Sequence, residues 1–351
     1  MMQNLKDFGL LGIGACGGNQ VSAFKKYDIP SFYVNSAIED LHSLGLQDMH
    51  YYHVKEAIGC HKDRNVSKTY LAHHYEDILK YIERYLTGKY IFLFGSTGGG
   101  TSSGMCALMT ELLENELGKI VIPIITIPSL SESLQAKTNS YELLKELFGC
   151  AQHTIFIVDN NKESNFIKSN EILSSLIYSL ISDVSTSIDG IYDYSEIRAM
   201  LEQKGYGILN YFTRKPTQID ITSSIKAAIS NNIFADIESH NSLYYCGIKS
   251  STMRKTVKID YEELQLTFGY WRDIFQGYQT KSDMIFMSGL QYPMSVVNRL
   301  YESIKEDKKK IELDMQFSSE FIFKDDYIIP TKNKKETNEL SAREKLLKLI
   351  R

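Results

Sequence analysis

Gly95-Ser96-Thr97-Gly98-Gly99-Gly100-Thr101-Ser102-Ser103-Gly104 follows the apolar run Tyr90-Ile91-Phe92-Leu93-Phe94 and leads into a segment with Met105, Leu108, Leu112 and Leu113 at helical spacing. A strand, a glycine-rich loop and a helix in succession let several backbone N–H groups converge on one anion, with the positive end of the helix behind them. The stretch predicts a phosphate cradle. No Gly-Lys-Ser/Thr follows, so it is not a Walker A loop, and phosphate charge must be met by backbone, hydroxyls and a metal ion. Gly100-x-Ser102-x-Gly104 also fits the formal pattern of a nucleophile elbow. An elbow is a sharp turn close to the strand end, whereas several residues intervene here, and it leaves a second glycine loop without a role.

That second loop, Gly12-Ile13-Gly14-Ala15-Cys16-Gly17, has the form G-x-G-x-x-G after an apolar run from Phe8 to Ile13. Alone it fits a dinucleotide site or merely a turn needing positive φ. A dinucleotide fold wants an acidic residue at the end of the second strand, and this chain has Asn35 there. An NAD-dependent cytosolic oxidoreductase using Gly12–Gly17 is therefore the alternative reading. Further strands are expected at 31–34, 120–127 and 154–158, with helices at 66–86, 103–117 and 134–148 between them. Such alternation predicts a parallel sheet covered on both faces, with ligands beyond the carboxyl ends of its strands.

Residues 165–188 read as one long apolar helix, followed by a helix over 194–204. Beyond it, strands are expected at 242–248, 256–259, 284–288 and 311–317, with helices at 221–231 and 293–307. The fold class is α/β: a doubly wound nucleotide-binding domain with its central helix over 1–188, a smaller α+β domain over 189–325, and a basic tail over 326–351. From Thr331 to Arg351 seven Lys/Arg face three Glu, and Ser341-x-x-Glu344 is a capping box for a short helix.

The 351 residues leave room for two cores, and 43% hydrophobic with 23% charged residues suits a globular chain. A net charge of -4 gives no global attraction to nucleic acid or anionic lipid. Five scattered cysteines without C-x-x-C suit reduced thiols. No apolar stretch approaches a membrane span, and the glycines after Cys16 suit a strand entering a loop better than an export signal. The expectation is a cytoplasmic protein without a membrane partner. His50-x-x-His53 and His73-His74 lack companion ligands and read as surface or packing histidines.

Gly98-Gly99-Gly100-Thr101-Ser102-Ser103-Gly104 resembles the tubulin/FtsZ signature G-G-G-T-G-[ST]-G, with Ser102 for the middle glycine. Gly12 to Asn19 is similar to the first nucleotide loop of FtsZ. Val34-Asn35-Ser36-x-x-x-Asp40-Leu41 resembles V-N-T-D-x-x-x-L. Thr126 to Glu132 is similar to the ribose-binding segment, with Ala136 where the family has Arg. Asn160 matches the guanine-binding Asn, and Asn170-Glu171-Ile172-Leu173 resembles N-D-V-L of the central helix. The loop Asp189 to Arg198 is similar to N-x-D-x-x-[DE]-[VF], with Ile191 in place of the Asn. Gly59-Cys60-His61-Lys62-Asp63-Arg64 departs from the family's third phosphate loop. The likeness covers residues 8 to about 310 and is nearest the TubZ-like branch of plasmids and phages.

The resemblance implies GTP or GDP with Mg²⁺, bound through Gly14, Ala15, Cys16, Asn19, Gly98, Gly99, Gly100, Thr101, Ser102, Glu132, Asn160 and Glu171. It implies head-to-tail filaments in which Asp193 and Glu196 of one subunit orient the water that attacks GTP held by the next. Within a monomer the same two residues read simply as a helix N-cap. It further implies segregation or positioning of plasmid or phage DNA, with an FtsZ-like division filament as the alternative. The basic tail is expected to be a solvated end or to engage a DNA-bound adaptor or DNA itself.

Overall fold

Largely apolar runs without alternation have no face to offer water, and the sheet is built around three of them. Strands β1 (Phe8–Ile13), β5 (Ile120–Ile127) and β6 (Thr154–Asp159) are buried at every residue. The computed structural model describes residues 5–317 apart from 56, 186, 188, 189, 216 and 240, together with 341–349. The remaining strands are β2 (Ser31–Asn35), β3 (Tyr51–His53), β4 (Tyr90–Ser96), β7 (Gly205–Tyr211), β8 (Asn241–Ser250), β9 (Gly269–Tyr278) and β10 (Met284–Leu290). They form one ten-stranded sheet in the order β3-β2-β1-β4-β5-β6-β7-β10-β8-β9. From β3 to β7 neighbours are parallel, β10 is antiparallel to both β7 and β8, and β9 is parallel to β8.

The crossovers are α1 (Gly14–Ser22), α2 (Ile38–Ser43), α3 (Arg64–Tyr85), α4 (Gly100–Leu117), α5 (Leu134–Cys150), α6 (Phe166–Ser182) and α7 (Tyr194–Glu202). Then follow α8 (Thr222–Ser230), α9 (Tyr261–Phe268), α10 (Met294–Phe317) and α11 (Ala342–Leu349). Among the described residues no helix is long and apolar enough to cross a membrane. The expected α/β architecture with a largely parallel sheet is present. The pairing of β6 with β7 carries that sheet without a break into the second half of the chain.

Several local expectations are corrected. The central helix ends at Ser182 rather than near 188, because Asp183 leaves the helical region and turns the chain toward β8 and β9. Residues 256–259 form no strand, only a bridge of Asp220 to Lys258 after a tight turn at Arg254–Thr256. Ile311 to Phe317 continues α10. Its alternation Ile-Glu-Leu-Asp-Met-Gln-Phe fits a strand in so short a window, but it directly prolongs a helix, and Ile311 and Leu313 are exposed. β3, β7, β9 and α9 lie where no element was expected. β9 is an edge strand with mixed burial, so it lacks the clean alternation that marks a half-buried strand.

The Ser341 capping box forms, with Ser341 N donating to Glu344 Oε2 (2.9 Å) and Glu344 N to Ser341 Oγ (3.3 Å). The helix it opens is no free end. Ala342 and Leu346 are buried against α3 and α4, and Lys345 pairs with Glu111 at 2.7 Å. The stretch 318–340 before it lies outside the described residues.

Candidate functional site

Each of the parallel strands β1, β2, β4, β5 and β6 releases its chain at the same edge of the sheet, and there the loops enclose a cleft of about 400 Å³. Gly14, Ala15 and Cys16 line it after β1, Ser36 after β2, Gly98 to Ser102 after β4, Thr126 and Glu132 at and after β5, and Asn160 after β6. The two glycine loops meet at its floor. A Cβ on Gly14 would lie 3.4 Å from the Thr101 side chain, and Gly14 has φ +71, which L side chains rarely adopt. Gly17 permits the closest approach, since a Cβ there would stand 2.2 Å from the Phe94 carbonyl oxygen.

The two helices whose first residues line the cleft are open at their N-termini, as are α2 after Ala37 and α8 after Ile221. α1 and α4 begin at Gly14 and Gly100 with no side chain capping their first amides. By contrast α3, α5, α6, α7 and α9 are capped by Asp63, Ser133, Asn165, Asp193 and Asp260. First-turn amides have no partner within their own helix, so α1 and α4 offer donors and two positive helix ends to an anion. Hydroxyls complete the cradle. Ser36 Oγ and Thr101 Oγ1 lie 2.8 Å apart, and Ser102 Oγ sits 3.1 Å from Ser96 Oγ. This chemistry fits a polyphosphate.

The side walls are held by turns. Asp159, buried, accepts from Asn161 N (2.8 Å) and Asn161 Nδ2 (2.6 Å), fixing the bend on which Asn160 sits. Glu132 Oε1 accepts from Ser129 N at 3.3 Å. Burial pushes the Cys16 thiol up to about 11, against a hydrogen bond with Thr126 and with a smaller upward push from Glu132, so it stays a neutral thiol at the wall. Ala136 is buried against Gly98. Lys137 does not replace the arginine missing beside it: its Nζ is engaged by Asp307, Ser303 Oγ (2.9 Å) and Leu130 O (3.3 Å). The basic residues of the lining are His61 and Lys62, from the loop that departs from the family pattern.

Asn19 on α1 and Glu171 on α6 are exposed and outside this lining, on two helices that touch each other. Sequence reasoning did not single out Ser36, Asp40, Cys60, Lys62, Ser96 or Thr126 as site residues, all of which line the cleft. For Ser36, Ser96 and Thr126 the available signal was position, at or just past the carboxyl end of a parallel strand.

Asp193 and Glu196 lie elsewhere. They open α7 as a capping box, with Ser195 N donating to Asp193 Oδ1 (2.6 Å) and Asp193 N to Glu196 Oε2 (2.8 Å). The Asp193 carboxyl is held below its usual range, first by the hydrogen bond shared with Glu196 and then by the hydroxyl and amide of Ser195. Helix α7 runs along the opposite edge of the sheet from the cleft. Arg198 pairs with Asp7 just before β1, the Tyr90 hydroxyl at the start of β4 bonds Glu202, and Thr154 Oγ1 at the start of β6 donates to Met200 O (3.0 Å). None of residues 190–198 lines the cleft.

A model of the tubulin/FtsZ family GTPase domain matches residues 9–168. The chain is 24% identical to the tubulin-like protein TubZ of Clostridium botulinum C phage over 316 residues, covering 88% of this chain and 85% of that protein. The crystal structure of Clostridium botulinum phage c-st TubZ superposes with a TM-score of 0.75 at 22% identity, over 87% of this chain and 99% of that one. A GTPγS-form protofilament of Bacillus thuringiensis serovar israelensis TubZ also gives 0.75, at 16% identity over 89% and 94% of the two chains.

Proposed function

Because residues 9–168 match the tubulin/FtsZ family GTPase domain, we propose that the cleft binds GTP and GDP, and that copies of the chain assemble head to tail into filaments whose contacts complete the hydrolytic site. The observation that carries this is the separation of its two parts. The cradle lies at the carboxyl edge of the sheet and the carboxylates at the amino edge, about 20 Å apart along a six-residue strand such as β1. One copy cannot bring them together. Stacking copies along the strand direction can, and the Bacillus thuringiensis relative is a protofilament.

In this arrangement the first-turn amides of α1 and α4, with Ser36, Thr101 and Ser102, hold the phosphates. Glu132 meets the ribose and Asn160 the guanine, whose far edge would extend past the lining to reach Glu171 on α6. Mg²⁺ would spread the charge of the phosphoryl oxygens, and Ser36, Thr101 and Asp40 are oxygen donors of the lining that could serve it. Asp193 and Glu196 of the next copy orient and polarise the attacking water, a task of placement. The division at 188 follows the work: residues 1–188 carry the cleft, residues 189–325 bring the carboxylate loop, and 326–351 follow as a basic tail.

The likeness to a phage TubZ over most of the chain supports a cytoplasmic filament that segregates or positions plasmid or phage DNA. DNA or a DNA-bound adaptor would meet the tail, where Lys345 is already committed to Glu111 in the docked helix. The test is light scattering beside phosphate release across a protein concentration series with Mg²⁺ and GTP. A critical concentration shared by both signals is expected. Phosphate release linear in protein from the lowest concentration, without scattering, would overturn the divided site.

A further inference from the structure

The loop that carries Asp193 and Glu196 begins where α6 ends, and a lysine with no other role in the site holds that junction. Lys249 on β8 is wholly buried. Its Nζ donates to the carbonyls of Ser179 (2.7 Å), Leu180 (3.3 Å) and Asp183, at the last turn of α6 and its C-cap. The Ser179 carbonyl also accepts from the Asp183 amide (3.2 Å), and the lysine adds a charged donor to the end of the helix, where carbonyls run short of partners. A neutral amine has two N–H groups, so three acceptors call for the ammonium form, which the negative end of the helix also favours. Burial works against it, pushing the pKa down to about 7, while the Asp183 carboxylate pulls it up. With each N–H matched to a carbonyl, the geometry sides with the charged form.

The same ammonium group lies 5.5 Å from the centre of the Tyr192 ring. That ring is wholly buried against Gly247, where a Cβ would come within 2.3 Å of it. Tyr192 immediately precedes the N-cap Asp193. Between the two anchors the chain is sewn to β9 and to the turn after it. Ser185 Oγ donates to Tyr278 O (2.8 Å), Ser185 N donates to Tyr192 O (3.2 Å), and the Asp183 carboxylate accepts from Lys281 N (2.8 Å) and Ser282 N (3.0 Å).

We propose that Lys249 is a positioning residue for the composite hydrolytic site: by gripping the end of α6 and the Tyr192 ring together, it fixes both ends of the loop whose carboxylates reach the neighbouring copy. The inference rests on the divided-site reading above. It adds a residue outside the cleft lining that touches neither phosphate nor water, and whose effect appears only where two copies meet.

Lys249→Met, which keeps a long unbranched side chain without the charge, and Lys249→Arg, which keeps the charge, test it. In dilute, unassembled protein, amide exchange at Ser185, Lys281 and Ser282 should quicken about tenfold in Lys249→Met while β1 and β5 stay protected. GTP affinity should remain within about twofold of wild type, whereas phosphate release per assembled subunit should fall about a hundredfold. Lys249→Arg should recover most of that loss. A lysine that only supports the fold would lower the melting temperature yet leave phosphate release per assembled subunit intact. That result, or unchanged exchange, overturns the proposal. Should Lys249→Met fail to fold, Lys249→Gln takes its place in the same measurements, and the same results support or overturn the proposal. Wild-type protein that neither assembles nor hydrolyses GTP would bring down the divided-site reading and this proposal with it, an outcome distinct from a variant that behaves like an active wild type.

Discussion

Two helices at the carboxyl edge of the sheet and one at the amino edge use their N-termini in opposite ways. At the carboxyl edge α1 and α4 start without side-chain caps, so their amides face outward toward whatever enters the cleft. At the amino edge α7 is closed by its own Asp193 and Glu196 in a capping box, and the edge is tied by Arg198 to Asp7 and Glu202 to Tyr90. The cleft offers open amides beside Asp40 and Glu132, whereas α7 offers two carboxylates and no open cap. Brought face to face in successive copies, carboxylates and phosphates repel at contact distance, so something must stand between them. A polarised water is the smallest such thing, and it is also the nucleophile that hydrolysis needs. On the divided-site proposal, the same N-cap would be both a finished piece of local structure and half of a site.

The contrast can be broken most severely at the glycine where the cradle packs closest. Gly17→Ala drives a Cβ to 2.2 Å from the Phe94 carbonyl oxygen, where backbone has to move. We expect a loss of about 3 kcal/mol or more, seen as a fall of about 10 °C in melting temperature. GTP binding should be lost with it. An unchanged melting temperature would show that α1 is not pinned to β4 at this point.

A sharper cut separates the two duties of the α7 cap. Glu196→Gln keeps a side chain that can still accept from the Asp193 amide, since capping boxes take Glu or Gln, but it removes the charge. Stability and GTP affinity should hold while phosphate release in filaments falls about a hundredfold. Long-lived filaments should accumulate, visible as scattering that no longer decays when GTP is limiting. Hydrolysis at the wild-type rate would return Glu196 to the role of a cap and nothing more.

How much of this could be seen in the chain alone follows the same division. The cradle was legible because its causes are local: an apolar run, consecutive glycines and a helix start lie within about fifteen residues of one another. So was the Ser341 capping box, although its docking on α3 and α4 depends on Glu111 and on apolar partners far back in the chain. Ser36 and Thr126 belong to the cleft because β2, β1, β4 and β5 pair in that order, and pairing order is not written in any short window. Asn19 and Glu171 stand outside the lining because helix rotation, not spacing, decides which side of α1 and α6 faces the loops. The alternation at Ile311 to Phe317 misled because period two over seven residues does not by itself exclude a helix. Lys249 was invisible, since its carbonyl partners on α6 come about seventy residues earlier and a lone lysine in an apolar run gives no hint of them.

The smallest expected effect probes an ionisable group at the amino edge. Glu114, in the last turn of α4, has a carboxyl pushed up to about 7, first by burial and then by Glu111, against a backbone hydrogen bond from Val121 and the charge of Lys204. Its neighbour His153 lies 3.8 Å away and bonds Glu202 O through Nδ1 at 3.1 Å, so Glu114 sits beneath the end of α7. A folded-state pKa above the ordinary value near 4.5 means that the folded protein keeps a proton which the unfolded chain has already released. Stability therefore falls as pH rises from about 4.5 to about 7 and is flat beyond. Glu114→Gln should remove that fall: at pH 8 the melting temperature rises by about 2 °C, and the gain shrinks to nothing as pH drops toward 4.5. GTP affinity, measured alongside, should not change, because the first turn of α4 faces the cleft from the other edge. A gain that persists at low pH would mean that the amide improves packing, and that the proton held by Glu114 contributes nothing to how this edge responds to pH.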